Sequence, residues 1–236
     1  MTLLCEDYDN APNSCRLALT HFDGLFRHGE PVQFHSTGIA IGEDKWLNTT
    51  SCQRWQPITP QLNGEQFQQI PWQQWCEVIH QQLQENETLF RWRGDNPFYQ
   101  AISSALQQRR QTLLNALLQG QDITSAVANM VGLGIGLTPS ADDYLVGLST
   151  ILFIDGHPAQ QYRDDFYSAL QVARENTTQL SAITLEAAFS QRYRESIFGF
   201  INGMINEPTR FSIQAIANIK NIGSSSGCDM LYGMAD

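Results

Sequence analysis

The spacing of apolar residues changes character about a quarter of the way along the chain. Residues 15–20 and 32–35 partly alternate apolar with polar. Residues 38–46 read as strand, turn and strand, Gly-Ile-Ala-Ile and then Gly-Glu-Asp-Lys. Gly24, Gly29 and Pro31 punctuate these runs. Residues 57–71, rich in Pro, Gln and Asn, read as a linker or irregular cover, and the Gln-dense stretch 53–84 as a solvated surface bias.

From Pro71 the period becomes helical. Trp72, Trp75, Val78, Ile79 and Leu83 form one stripe. Asn96-Pro97, a cap followed by proline at the first helical position, opens a helix carrying Phe98, Ile102, Leu106, Leu113 and Leu117 and ending near Gly120. Asp122 caps a short helix towards Met130. Further helices are predicted from Ser140 to the Asp155-Gly156-His157-Pro158 stop, from 158 to 175, from Ser181 through Met204, from Glu207-Pro208 to Lys220, and after Ser226. Residues 145–154 and 198–204 are apolar on most sides, which predicts buried helices. The predicted class is α+β. A small N-terminal β-rich sheet or partial barrel (1–70) is packed on a larger, all-helical C-terminal domain (71–236).

A formal net charge of -10 with no basic block disfavours nucleic acid and anionic membrane as partners. Five cysteines, an odd number without C-x-x-C spacing, suggest a reduced, intracellular chain without a zinc knuckle. The first ten residues lack the basic segment of a signal peptide, and the longest apolar run, 144–154, is short for a membrane span. A cytoplasmic location is expected.

The most distinctive stretch is Val131 to Gly147. Gly132, Gly134 and Gly136 alternate with aliphatics, then Thr138-Pro139-Ser140 leads to Asp142 and Asp143. Ser140 with Asp143 has capping-box spacing, so the stretch reads as a Gly-rich loop entering a helix. Free amides there favour an anion. The two acids favour a cation: Asp143 reads first as a helix-dipole partner, and either acid is a candidate for Mg²⁺ beside a phosphate. A second copy lies at 223–233, where Ser226, Asp229, Leu231 and Gly233 repeat the S-x-x-D-x-L-x-G of Ser140 to Gly147. Hydroxyls gather again before a helix at Thr177, Thr178 and Ser181. One such helix start is more often structural than functional. Three, two of them alike, favour a shared site with the two starts facing one another.

Familiar motifs fail. The three glycines do not make G-x-G-x-x-G, because Pro139 stands at the third position. Leu137 replaces the lysine of a P-loop. No H-E-x-x-H or G-x-S-x-G occurs, and the histidines, including His35 and His157, are scattered.

The stretch 132–147 resembles the G-L-G-x-G-L-T-P-S-G-D-D-x-L-x-G signature of the AllH-like family, associated with oxamate carbamoyltransferase of anaerobic allantoin catabolism. Thr177-Thr178-Gln-Leu-Ser181 is similar to the family's T-T-x-x-S, and Ile222 to Gly233 to its I-G-H-T-S-G-x-D-x-L-x-G. Ala141 stands in place of a usual Gly, and Ser224 and Ser225 where the family often has His and Thr. The resemblance is specific in the C-terminal half and vague before about residue 96. It implies a subunit that moves a carbamoyl group between carbamoyl phosphate and oxamate, alongside other transferase subunits. The site it suggests has Asp142, Asp143 and Asp229 as catalytic candidates. Gly134, Gly136, Thr138, Ser140, Thr177, Thr178, Ser181, Gly223, Ser225 and Ser226 are its substrate-binding candidates. No cofactor is firmly predicted, and Mg is the one considered. Phosphate sites usually carry Arg or Lys, and none lies within the motifs; Arg16, Arg27, Arg54, Arg91, Arg93 and Arg174, or a partner subunit, are the possible sources. Two alternatives stand beside the transferase: a non-catalytic binding or scaffolding subunit, and a Mg-assisted hydrolase using the paired acids.

Overall fold

The computed structural model describes all 236 residues, as two compact units, Met1–Ile58 and Thr59–Asp236. The class is α+β, with the strands in the first unit and the helices in the second.

The N-terminal unit holds two small sheets rather than a barrel. β1 (Thr2–Leu4) pairs in parallel with β2 (Ser14–Arg16). β1 is a strand that the residue pattern did not announce, and β2 stops short of the alternating run 15–20. β3 (Val32–His35), β4 (Gly38–Ile41) and β5 (Lys45–Asn48) form an antiparallel sheet in that order. The turn after β4 begins at Gly42, whose φ of 66° suits glycine. Lys45, just past it, bonds Glu30 at 2.6 Å.

The helical unit begins inside the stretch expected to be irregular. α1 (Gly64–Gln69) has a complete capping box, Asn63 with Gln66, and Leu62 and Ile70 on either side are buried. α2 (Trp72–Gln82) buries Trp75 and Ile79 of the expected stripe. α3 (Pro97–Gln119) starts as predicted, with Asn96 accepting from the amides of Phe98 and Tyr99, and ends on Gly120 in the left-handed region. Its buried line is Ser103, Leu106, Leu113 and Ala116, whereas Phe98 is exposed. α4 (Ile123–Met130) follows, but the side chain of Asp122 does not cap it.

α5 (Ser140–Leu152) is buried from Ser140 through Thr150. The hydroxyls of Ser149 and Thr150 are satisfied by the Val146 carbonyl, so they enter the core without an unpaired donor. α6 (Arg163–Ala173) comes next, flanked by short 3₁₀ turns. The single helix expected from Ser181 through Met204 is two, α7 (Gln179–Phe189) and α8 (Glu195–Asn206). They are separated at Gln191, whose φ is 55°. α8 is also not apolar all round: Gly199, Asn202 and Gly203 are exposed, because a glycine counts as apolar without covering anything. Pro208 starts no helix; α9 (Ile213–Lys220) is capped by Ser212. α10 (Ser226–Met234) closes the chain, buried from Gly227 to Met234.

α5 and α10 are thus the two helices buried on nearly every side, and they pack on each other. Phe153, Phe166 and Phe189 cluster edge-to-face beneath α5. Phe90 stacks between Tyr144 of α5 and Tyr232 of α10, at 4.9 and 5.1 Å. No helix is long and apolar enough to cross a membrane.

Candidate functional site

The contact between α5 and α10 is reciprocal. A side chain at Gly147 would collide with the backbone of Met230, and one at Gly233 with that of Tyr144. Met230 stands three residues before Gly233, and Tyr144 three before Gly147. The repeated S-x-x-D-x-L-x-G is therefore two half-sites related by an approximate twofold, each glycine receiving the other helix's backbone. Early positions meet early positions and late meet late, so the helices run parallel and their N-termini end together.

At those N-termini the hydroxyls are exchanged as well. The Ser140 hydroxyl lies against the Asp229 carboxyl, and the Ser226 hydroxyl against that of Asp143. Ser140 is not an N-cap: Pro139 and Ser225 hold the cap positions, and neither helix has a side-chain cap bond. The expected Ser140–Asp143 capping box does not form; each serine hydroxyl lies near the acid of the other helix instead. The serines sit at the first helical residue, where side chains project away from their own first-turn amides.

Each acid has a second hydroxyl. Thr138 reaches Asp143, and Thr88 donates to Asp229. Thr138 and Ser226 also lie 3.1 Å apart, joining the two loops at the surface side. Asp143 and Asp229 are 2% and 1% exposed, yet the Oδ2 atom of each has no hydrogen-bond partner. Burial pushes both carboxyls up to about 7, despite the hydroxyls that favour ionisation, and the charge of Asp143 raises Asp229 further.

Asp142 plays a different part. Its Oδ1 accepts from the Gly132 amide at 2.7 Å, and its Oδ2 from the hydroxyls of Thr177 and Ser181, the latter at 2.6 Å. Burial raises its pKa while these donors lower it. Asp142 is the clamp that joins the Gly-rich loop to the start of α7. Thr178 completes that clamp, capping α7 through the Ser181 amide while donating to the Leu137 carbonyl. Gly132 needs to be glycine on two counts, a φ of 82° and the Asn176 carbonyl against its missing Cβ. Gly134 has its missing Cβ against the Ser140 amide, whereas Gly136 lies in the exposed tip with Ile135 and Leu137.

The candidate residues thus divide. Thr138, Ser140, Asp143, Ser226 and Asp229 converge at the helix junction. Thr177, Thr178 and Ser181 gather around Asp142 beside it. Gly223 and Ser225 enter α10 at its exposed edge, with Gly223 at a φ of 62°. Thr88 was missed by sequence reasoning; its only signal was a threonine before a short apolar turn, whose Phe90 amide it caps. The amides of Ala141, Asp142, Asp143 and Gly227 already bond backbone carbonyls, which removes much of the expected anion cradle. Nor do the three acids make a metal centre: no group of three His, Cys, Asp or Glu side chains is placed to hold an ion. Of the basic candidates in this unit, Arg91 bonds the His80 and Leu83 carbonyls, Arg93 pairs with Glu85, and Arg174 with Glu186.

Residues 130–236 match the family model described as oxamate carbamoyltransferase subunit AllH, and residues 1–54 match that of the AllH family N-terminal domain. The chain belongs to the AllH family. The family's name is that of a carbamoyltransferase subunit. No solved structure matches the chain. The family segment 130–236 contains both halves of the α5–α10 junction and the Asp142 clamp, while Thr88 comes from the unmatched stretch between the two models.

Proposed function

We propose that this chain is a subunit of a carbamoyltransferase acting on a small anionic substrate, oxamate with carbamoyl phosphate, in purine and allantoin nitrogen catabolism. The observation that carries the reading is the hydroxyl–carboxyl exchange between Ser140, Asp229, Ser226 and Asp143, which falls within the family segment. Transfer to an amide nitrogen forms an N–C bond, breaks the C–O bond to phosphate and releases a proton from nitrogen. Asp143 and Asp229, poised near neutrality, are suited to take that proton. The half-buried hydroxyls of Thr138 and Ser226 lie beside Asp143.

Phosphate binding and oxyanion stabilisation need positive charge or free donors. Arg91, Arg93 and Arg174 are tied down within this unit, and the reading takes the completing cation from another transferase subunit. The test is phosphate release from carbamoyl phosphate with oxamate as acceptor, by the purified chain alone and after assembly with its partner subunits. The reading requires turnover in the assembly; no turnover and no oxamate binding in either preparation refutes it.

One observation favours a second reading, a scaffolding subunit without chemistry. Gly147 and Gly233 are packing devices, and Ser140, Asp142, Asp143 and Asp229 are all within 2% of full burial. Under that reading the assembly keeps its activity when the junction acids are made neutral.

A further inference from the structure

The expectation for two helix N-termini side by side is an anion. The side chains in this junction have the opposite polarity. An ionised carboxylate only accepts hydrogen bonds, and a hydroxyl that donates to it has only lone pairs left to offer. Thr88, Ser140, Thr138 and Ser226 all lie against carboxyls. Two carboxyl oxygens, Asp143 Oδ2 and Asp229 Oδ2, are buried with nothing donating to them. The first-turn amides that would attract an anion are largely spent on carbonyls, and Asp142 adds a third acid alongside. With the acids ionised, above about pH 7, a carboxylate or phosphate entering here would meet like charge in a dry environment, at a cost of several kcal/mol. A group rich in N–H donors would instead meet two unsatisfied acceptors.

From this we infer that the α5–α10 junction is an acceptor subsite for a primary carboxamide or carbamoyl N–H₂ group, held by Asp143 and Asp229, with the anionic end of the ligand directed outward. This rests on the transferase reading for the choice of ligand. It reverses the orientation that the helix N-termini alone suggest. The subsite lies behind Thr138 and Ser226, with its acids 2% and 1% exposed, so a ligand reaches it with one small group and not with its whole length. Discrimination follows from leaving buried acceptors unpaired: a site built to hydrogen-bond a donor rejects an analogue that lacks it.

The test is calorimetric binding of three ligands to the full chain, alone and assembled: oxamate, oxalate and N,N-dimethyloxamate. Oxamate is expected to bind roughly tenfold or more tightly than the other two, which lack the N–H₂ group. In Asp143→Asn and Asp229→Asn, checked for folding by circular dichroism, that preference should shrink to about threefold or less, with oxalate binding equal or improved. Equal affinity of the unaltered protein for oxamate and either analogue overturns the inference. So does binding of none of the three at about 10 mM, or a preference that survives in folded variants. Measurement on the unaltered protein decides the matter if a variant does not fold. Transferase turnover is read separately: a selective carboxamide site without turnover sinks the proposed function and leaves the subsite standing, and turnover without selectivity does the reverse.

Discussion

Replacing Gly147 by alanine tests the reciprocal helix contact on which the site is built. A Cβ there would lie 2.6 Å from the Met230 carbonyl carbon and 2.8 Å from its Cα, with the carbonyl oxygen nearer still. Ordinary contacts for such atoms are about 3.5–4 Å, so the helices must separate by close to an ångström. Both are buried on nearly every side, and the neighbours cannot follow without opening the Phe90–Tyr144–Tyr232 stack. Overpacking of this kind costs about 1–3 kcal/mol or more, against about 1 kcal/mol gained by alanine over glycine in a helix. The same substitution at Gly199 or Gly203 provides the contrast, since nothing lies within 4 Å of a Cβ at either position. There only the helix-propensity gain remains. Thermal unfolding followed by circular dichroism should show Gly147→Ala lowered by roughly 5 °C or more, and Gly199→Ala unchanged or raised by about 2–4 °C. Equal effects at the two positions would refute the close approach of α5 and α10.

Stability should also depend on pH with an unusual sign. Asp143 and Asp229 are held at about 7 in the folded chain, against an ordinary carboxyl value near 4, so the folded state binds protons more tightly and their contribution is lost as pH rises through 7. His157, half-buried and pushed down to about 4 by desolvation, acts in the opposite direction below its ordinary value, so the clean window lies above about pH 6.5. Urea unfolding between about pH 6.5 and 8 should lose about 1–2 kcal/mol, and a flat or rising profile contradicts the assignment. Asp142→Ala strands the Gly132 amide and two hydroxyls, and should cost about 3 kcal/mol with faster amide exchange at Gly132; an unchanged urea midpoint counts against the clamp. Asn96→Ala removes the cap of α3 and should cost about 1 kcal/mol in the same assay, independently of the junction.

The fold was legible where local chemistry decides it. Asn96-Pro97 with Gly120 delimits α3, and Gly42 turns the β4–β5 hairpin, because caps and turns depend on a few adjacent residues. It was less legible where a break has no such mark: Gln191 separates α7 from α8 in a left-handed conformation that its identity does not signal. The repeat linking Ser140–Gly147 to Ser226–Gly233 was visible in the letters, and its pairing in space follows that reading. The role of each member was not. The spacing of Ser140 and Asp143 also fits a local cap, and only the packing of α10 shows the serine turned towards Asp229. The adjacent acids Asp142 and Asp143 look equivalent in sequence, but a helix points neighbours about 100° apart. One therefore meets the start of α7 and the other meets α10. Thr88 lies 141 positions from Asp229, and no local pattern reports a partner that distant.

The most direct measurement of the central claim is the rate of carbamoyl phosphate-dependent carbamoylation of oxamate by the full assembly carrying either the unaltered chain or Asp143→Asn. If the α5–α10 junction is where substrate is handled, the variant folds, assembles and loses about a hundredfold or more in rate, the scale of a general acid–base group. A variant that assembles and turns over at the unaltered rate contradicts the claim and makes the junction a packing device.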